Sequence, residues 1–171
     1  MQKTKLAIIS ALALVVIGLV GCTIRFSFSG ASISPDVNTV KVDYFPNMAA
    51  MVTPILSPTL NDALVQKIQN QTRLQFVNEN PDVYFEGQIV DYSSKPVAIS
   101  GDEYAETNRL TIAVQVKFTN IVEPNLSFSK SFSAYADFPS TDMLTSVESS
   151  LIPEICTQLV DDIFNAAFAN W

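Results

Sequence analysis

The side chains that most often carry out chemistry are scarce in this sequence. It contains no histidine, and Cys22 and Cys156 are its two cysteines. Imidazole acid–base catalysis and metal sites built from cysteine and histidine are therefore excluded. The acidic clusters lack the tight, liganded turn that a hard cation needs, and no phosphate-binding or nucleophile-elbow motif occurs. The residues thus predict no enzyme, no metal site and no cofactor.

Cys22 stands in a context that predicts a reaction of its own thiol. Two lysines precede an apolar run over 6–20, which has about the length of a signal-peptide hydrophobic region and is shorter than the roughly 20 residues of a spanning helix. The run ends in Leu-Val-Gly-Cys, which resembles the lipobox of bacterial lipoproteins. We therefore expect 1–21 to be a signal peptide that is removed, and Cys22 to carry palmitate-type acyl chains. A free cysteine at an ordinary cleavage site and a transmembrane anchor are the alternatives.

Acylation of Cys22 and the charge balance restrict the remaining possibilities. Cys156 would then have no partner within the chain, and we expect it to be a small buried apolar side chain. The chain has 17 acidic and 10 basic residues, and loss of Lys3 and Lys5 with the leader changes its formal charge from -7 to -9. This acidity argues against binding to nucleic acid and against general electrostatic attraction to anionic lipid.

Hydrophobic periodicity predicts one domain with the element order β-α-β-β-β-α. Apolar side chains alternate with polar ones in the strands and recur at three- and four-residue spacing in the helices. Strands are expected at 40–45, 82–92, 109–120 and 126–138, and helices at 58–77 and from Thr145 to the C-terminus. The class is therefore α/β of the α+β type, a four-stranded sheet with two helices packed on one face.

Several local features add detail to this outline. Ser57 and Pro58 suit the start of the first helix, and Thr145 and Glu148 resemble a capping box for the second. Gly87 indicates a bulge or bend. Lys130 interrupts an apolar face and indicates a sheet edge, and the long connection over 93–107 is expected to project as a loop. The expected organisation is a lipidated tether over 22–37 followed by a single domain over 38–171.

Two surfaces are candidates for binding a partner. Met48, Met51 and Ile55 lie in an apolar stretch interrupted by prolines, which would expose apolar surface unless it packs under the first helix. Tyr84 and Tyr135 have outward parity on the sheet face that no helix covers. Aromatic and hydrogen-bonding side chains of this kind are typical of interfaces, although they also occur on an ordinary solvated face.

Taken together, the motifs resemble those of the LptE family of lipopolysaccharide-assembly lipoproteins. The resemblance extends over the whole mature chain and is strongest to an acidic branch of the family. Besides the lipobox, it is carried by the segments "SFSGASISPDVNTVKVDYFPN", "LSPTLNDAL", "NRLTIAVQVKFTN", "SFSAYADF" and "LVDDIFNAAFANW".

The resemblance implies a non-enzymatic outer-membrane lipoprotein that faces the periplasm. Such a protein plugs and helps to assemble the LptD-type β-barrel translocon, and assists delivery of lipopolysaccharide to the outer leaflet. Arg109 and Lys117 are the nearest candidates for the basic side chains that contact lipopolysaccharide in the family. A generic interaction module of another envelope complex is the alternative function, followed by a periplasmic hydrolase.

Overall fold

A computed structural model describes residues 33–97 and 106–169, so the predicted leader and Cys22 lie outside the described residues. Within these ranges, five strands and two α-helices follow the predicted class, with both helices on one face of the sheet. The elements are β1 (Thr39–Val42), α1 (Leu56–Gln71), β2 (Gln75–Phe76), β3 (Val83–Val97), β4 (Thr107–Asn120), β5 (Phe128–Pro139) and α2 (Leu144–Phe168), with a 3-10 turn at Pro124–Leu126 before β5.

The described sheet has the strand order β2-β1-β3-β4-β5, one strand more than expected. The additional strand, β2, contains two residues and pairs in parallel with β1, which itself pairs in parallel with β3. Strands β3, β4 and β5 form an antiparallel meander, so the sheet as a whole is mixed. A two-residue strand has no alternation to recognise, which explains why the sequence pattern did not predict it.

The β3–β4 hairpin is longer than predicted. Ser93 pairs with Thr111 and Val97 with Thr107, so the start of the expected loop over 93–107 and its last residue belong to strands. Pro96 is accommodated because β1 pairs with β3 only near the start of β3. At Pro96 the strand has a neighbour on one side, and a missing N–H group costs little there.

The core lies between the sheet and the two helices, where the predicted periodicity is confirmed. The inward side chains of β4 are buried. The predicted stripe of α2 is also buried, except for Ala167, which is partly buried; the stripe comprises Ile152, Ile155, Cys156, Leu159, Val160, Ile163, Phe164 and Ala167. Cys156 is a free, buried thiol, and its burial raises its pKa to about 12. It is therefore an unreactive packing residue, as predicted.

Helix α1 ends six residues earlier than predicted. The Thr72 hydroxyl donates a hydrogen bond of 2.8 Å to the Ile68 carbonyl oxygen, and the Thr72 backbone is extended. Its hydroxyl oxygen then accepts the N–H of Leu74 at 3.2 Å. At the other end Ile55, and not Ser57, is the capping residue, and the buried Ser57 hydroxyl has no hydrogen-bond partner among the described residues.

The predicted capping box of α2 does not form. Met143 precedes the helix, and no side chain caps its start. The Glu148 carboxylate instead accepts hydrogen bonds from the Tyr92 hydroxyl at 2.6 Å and from the Thr53 hydroxyl at 3.4 Å. A tertiary hydrogen bond to a buried tyrosine has replaced the local one.

Gly87 serves close packing, and the bulge lies elsewhere in β3. A Cβ atom at residue 87 would come within 2.5 Å of the Phe45 ring and 2.6 Å of the Gln115 carbonyl oxygen. The register of β3 against β4 shifts between Ile89 and Asp91. The Phe45 ring that fills this space is fully buried, whereas Tyr44, which was expected to continue the alternation of β1, is exposed because the strand ends at Val42.

Strand β5 forms the sheet edge opposite to β2. Lys130 lies on β5, which is an edge strand of the described sheet as predicted, and its side chain is exposed. Among residues 33–97 and 106–169, no helix is long and apolar enough to span a membrane.

Candidate functional site

The sheet face opposite the helices, here called the open face, carries the outward side chains of β1, β3, β4 and β5. At its centre Gln88 lies directly opposite Gln115, and Glu86 lies opposite Lys117. These four side chains, with Gly87 and Ser129, line a shallow depression of about 300 Å³. The open face therefore offers amide, hydroxyl and charged groups within one concave area.

Arg109 is fixed at one end of the open face. Its Nε and Nη2 atoms donate to the two carboxylate oxygens of Asp137 at 2.7 and 2.9 Å. Its guanidinium group lies 3.6 Å from the ring centroid of Tyr135, which is half exposed. The hydrogen bonds from Arg109 lower the pKa of Asp137, and the same pair raises the pKa of Arg109. Planar stacking and two-point bonding thus pre-orient this cation.

Lys117 lies near the other end of the same strand. Its Nζ atom is 2.9 Å from Glu86 Oε2, and its side chain is 61% exposed. Lys117 follows Arg109 by eight positions, which correspond to roughly 27 Å along β4. The two predicted lipopolysaccharide contacts therefore share the open face, as their parity indicated, but they belong to separate charge pairs.

The pairing of β3 with β4 brings a further cation to the open face, which the alternation of side chains within one strand did not identify. Lys95 on β3 lies directly opposite Arg109 on β4. Among the described residues no ion pair involves Lys95, and it is exposed. Lys95 and Arg109 are therefore cross-strand neighbours at this end of the open face, and of these two cations Arg109 engages the Asp137 carboxylate. Only the pairing of β3 with β4 could bring Lys95 into the site.

Tyr84 belongs to a hydrogen-bonded cluster at the β1 side of the open face. Its hydroxyl donates to the Asp43 carboxylate, and Lys41 Nζ lies 3.1 Å from the same carboxylate and 4.9 Å from the tyrosine ring centroid. The bond to Asp43 raises the pKa of Tyr84 to about 12 and lowers that of Asp43. Tyr84 is therefore a neutral, oriented side chain at physiological pH.

A second candidate surface is the loop over 47–55, here called the Met48 loop. Met48 is 65% exposed, Met51 45%, Val52 68% and Ile55 41%. The loop is nevertheless well anchored, because the Met48 N–H donates to the Ile89 carbonyl oxygen at 2.9 Å and Thr53 is buried against Glu148. The sequence left two alternatives for this segment, packing under α1 or exposure. The apolar side chains are exposed, while the backbone that carries them is anchored to the rest of the fold.

Val90 extends this apolar surface and was not predicted as a contact. It lies at the irregularity of β3, next to the Ile89 residue that bridges Asn47, and it is exposed. In the sequence, its two-residue spacing from Gln88 was the feature that could have indicated an outward side chain. Exposed methionine and branched side chains on a fixed backbone are characteristic of protein-binding surfaces.

The described residues provide no catalytic or metal-binding constellation. No group of three histidine, cysteine, aspartate or glutamate side chains within residues 33–97 and 106–169 could hold a metal ion. Asp161, one of two adjacent acids in α2, forms an ion pair of 2.7 Å with Lys67 of α1. Its carboxylate therefore joins the two helices.

Comparisons with known structures show the fold. A minor lipoprotein from Acinetobacter baumannii has a TM-score of 0.51 at 12% sequence identity, with 75% of this chain and 90% of that chain covered. The protein CT253 from Chlamydia trachomatis has a TM-score of 0.51 at 8% identity, with 78% and 99% covered. A comparison with curated protein sequences gives no match.

A family comparison identifies the chain more closely. The model of the LptE family, described as lipopolysaccharide-assembly, matches residues 37–167. This range contains every described strand and nearly all of α2, together with the open face and the Met48 loop. The match thus agrees with the resemblance found in the sequence, and the chain belongs to the LptE lipopolysaccharide-assembly family.

Proposed function

We propose that this chain is the outer-membrane lipoprotein subunit of the lipopolysaccharide translocon. In this role it plugs an LptD-type β-barrel, assists the assembly of that barrel and helps to deliver lipopolysaccharide to the outer leaflet, without catalysing a reaction. The observation that carries the proposal is the family match over residues 37–167. The lipobox at Cys22 supports attachment by acyl chains on the periplasmic side.

The Met48 loop is the surface proposed to contact the barrel. It presents Met48, Met51 and Ile55 on a backbone anchored to β3 and α2, so little conformational freedom is lost on binding. Tyr84 and Tyr135 on the open face are further partner contacts in this proposal. Both tyrosines are oriented by neighbouring charged groups, Tyr84 by Asp43 and Tyr135 by Arg109.

Direct contact with lipopolysaccharide is proposed at Arg109 and Lys117. Anionic head groups are recognised by pre-oriented guanidinium and ammonium groups. Because the chain is acidic overall, this binding depends on the local arrangement around Arg109, where Lys95 adds a second cation. Lys117 would act as a weaker contact, since Glu86 is its close partner.

Affinity purification of the lipidated full chain from native membranes tests the proposed function. We expect recovery of a large LptD-type barrel, and the triple variant with Met48, Met51 and Ile55 changed to serine should recover at least severalfold less. The control variant changes Phe76 to serine, which removes an exposed apolar side chain from the β2 edge of the sheet, outside the proposed contact surfaces. Recovery of a different barrel would favour the alternative, an interaction module of another envelope complex, and recovery of none would contradict both.

A further inference from the structure

The turn between β4 and β5 presents two apolar side chains at one end of the molecule. Ile121 is 62% exposed and Val122 39%. The turn has a fixed conformation, because Asn120 Oδ1 accepts the Glu123 N–H at 2.7 Å and the Ile121 N–H donates to the Asp82 carbonyl oxygen at 2.9 Å. These apolar side chains are therefore held outward by a braced backbone.

The described chain begins beside this turn. Ile33 lines one small cavity together with Asn120, Glu123 and Leu126. Arg73 fixes the adjacent residue, since its Nη2 atom donates to the Ser34 carbonyl oxygen at 2.9 Å. Cys22 precedes Ile33 by eleven positions, a contour length of at most roughly 40 Å. The connection to the proposed acylation site thus leaves from the end of the molecule that carries Ile121 and Val122.

The Met48 loop lies at a different level of the sheet. Asn120 pairs with Val83 at the start of β3, whereas Met48 is bound to Ile89, six residues further along that strand. Six residues of strand span roughly 20 Å. A bilayer that receives the turn between β4 and β5 would therefore leave the Met48 loop free to contact a protein.

We propose that the turn between β4 and β5 docks on the lipid bilayer, with Ile121 and Val122 inserted at its interface. The proposal rests on the lipid anchor at Cys22 put forward above. The anchor would hold the turn near the membrane, where burial of two apolar side chains is favourable. Three acids, Asp36, Asp82 and Glu123, lie close to this end beside the one cation named there, Arg73, so the surface it fits is zwitterionic lipid and not anionic lipid.

A polarity-sensitive dye on the lipidated full chain tests this orientation. The dye 7-nitrobenz-2-oxa-1,3-diazole is attached through the variant Ile121→Cys and, as the matched control, through Met48→Cys. The native cysteines do not compete, because Cys156 is buried and Cys22 is acylated in the proposal. In phosphatidylcholine vesicles, the probe at position 121 should show blue-shifted emission and at least threefold stronger quenching by spin-labelled lipid than the probe at position 48. The variant Val122→Cys provides a second position if Ile121→Cys folds poorly.

Each outcome is decisive for the proposal. Aqueous emission from positions 121 and 122 in chains that float with the vesicles would overturn it, as would stronger lipid quenching at position 48. Mass spectrometry detects acyl chains on Cys22 independently of the dye. Their absence would also overturn the proposal, because the membrane anchor on which it rests would be missing. Failure to recover an LptD-type barrel would refute the proposed function while leaving the dye result intact, so the two failures are distinguishable.

Discussion

Arg109 and Lys117 differ in the charge that surrounds them. Arg109 binds the Asp137 carboxylate and lies opposite Lys95, which has no ion-pair partner among the described residues. Lys117 and Glu86 form a one-to-one pair. At the scale of single residues, the end of the open face around Arg109 is therefore the better candidate for an anionic head group.

Neutral substitutions around Arg109 should change lipopolysaccharide binding in opposite directions. Arg109→Gln removes a cation and should weaken binding to purified lipopolysaccharide, whereas Asp137→Asn removes the competing anion and should strengthen it. Because solvent-exposed charges interact weakly, changes of only roughly 1.5- to 5-fold in affinity are expected by isothermal titration calorimetry. Lys130→Gln, which alters a cation of the opposite parity on β5, is the control. Equal affinities for wild type, Arg109→Gln and Asp137→Asn would remove Arg109 from the site.

Because of the hydrogen bond between Tyr84 and Asp43, we expect the free energy of unfolding to fall at alkaline pH. Unfolded tyrosine has a pKa of about 10, whereas the hydrogen bond to Asp43 raises the pKa of folded Tyr84 to about 12. Below pH 10 both states are protonated, and between pH 10 and 12 the unfolded state alone ionises. The free energy of unfolding should therefore fall across this window. Urea titrations at several pH values should show that the free energy of unfolding falls less between pH 10 and 12 in Tyr84→Phe and in Asp43→Asn than in wild type. The same pH dependence in wild type and both variants would contradict the role of this hydrogen bond.

At the scale of elements, one hydrogen bond joins α2 to β3. Tyr92 is almost completely buried, and its hydroxyl donates to Glu148 at 2.6 Å. Burial is the largest cause of its raised pKa, followed by the bond to Glu148. The same carboxylate accepts the Thr53 hydroxyl, so the start of α2, the middle of β3 and the Met48 loop meet at Glu148.

Tyr92→Phe should destabilise the fold through this junction. A hydrogen bond to a charged group contributes about 1.5–3 kcal/mol, and the substitution also leaves one Glu148 oxygen without its partner. We expect a loss of that size in the free energy of unfolding measured with urea. The control is Tyr44→Phe, which removes a hydroxyl from an exposed tyrosine and should cost less than about 0.5 kcal/mol. A neutral effect of Tyr92→Phe would show that the junction does not stabilise the fold.

The elements that the sequence predicted are those fixed by repeated local patterns. Strand β4 alternates over its length, and the apolar stripe of α2 recurs over several turns, so tertiary packing reinforced both patterns. The failures occurred where contacts distant in the chain decided the outcome. Glu148 left the predicted capping box for Tyr92, and β2 exists because its two residues meet β1.

The candidate site was predictable to a similar degree. Parity placed Tyr84, Arg109 and Tyr135 on one face, and prolines indicated that the Met48 loop could not join a long element. The contribution of Lys95 depends on strand register, which one sequence does not reveal. The charge pairs that engage Arg109 and Lys117 likewise join residues of different strands.

At the scale of the whole molecule, three exposed surfaces are proposed to contact different partners. The turn at Ile121 is proposed to meet lipid, the Met48 loop to meet a barrel, and the open face to contribute tyrosines and cations. The two helices cover the remaining sheet face and expose polar side chains such as Gln69. This arrangement predicts that the sheet side, and not the helix side, faces the proposed barrel wall.

Photo-crosslinking in cells tests that orientation. The photoreactive residue p-benzoylphenylalanine is placed at Met51 in the Met48 loop, at Tyr135 on the open face, and at Gln69 on the exposed side of α1 as the matched control. Crosslinks to an LptD-type barrel should form from positions 51 and 135 at several times the yield from position 69, because a crosslinker captures only groups in contact with it. All three side chains are exposed, so replacement should leave the fold intact. If position 69 gives the dominant crosslink and position 135 gives none, α1 would face the barrel and the open face would lose its proposed role in partner binding.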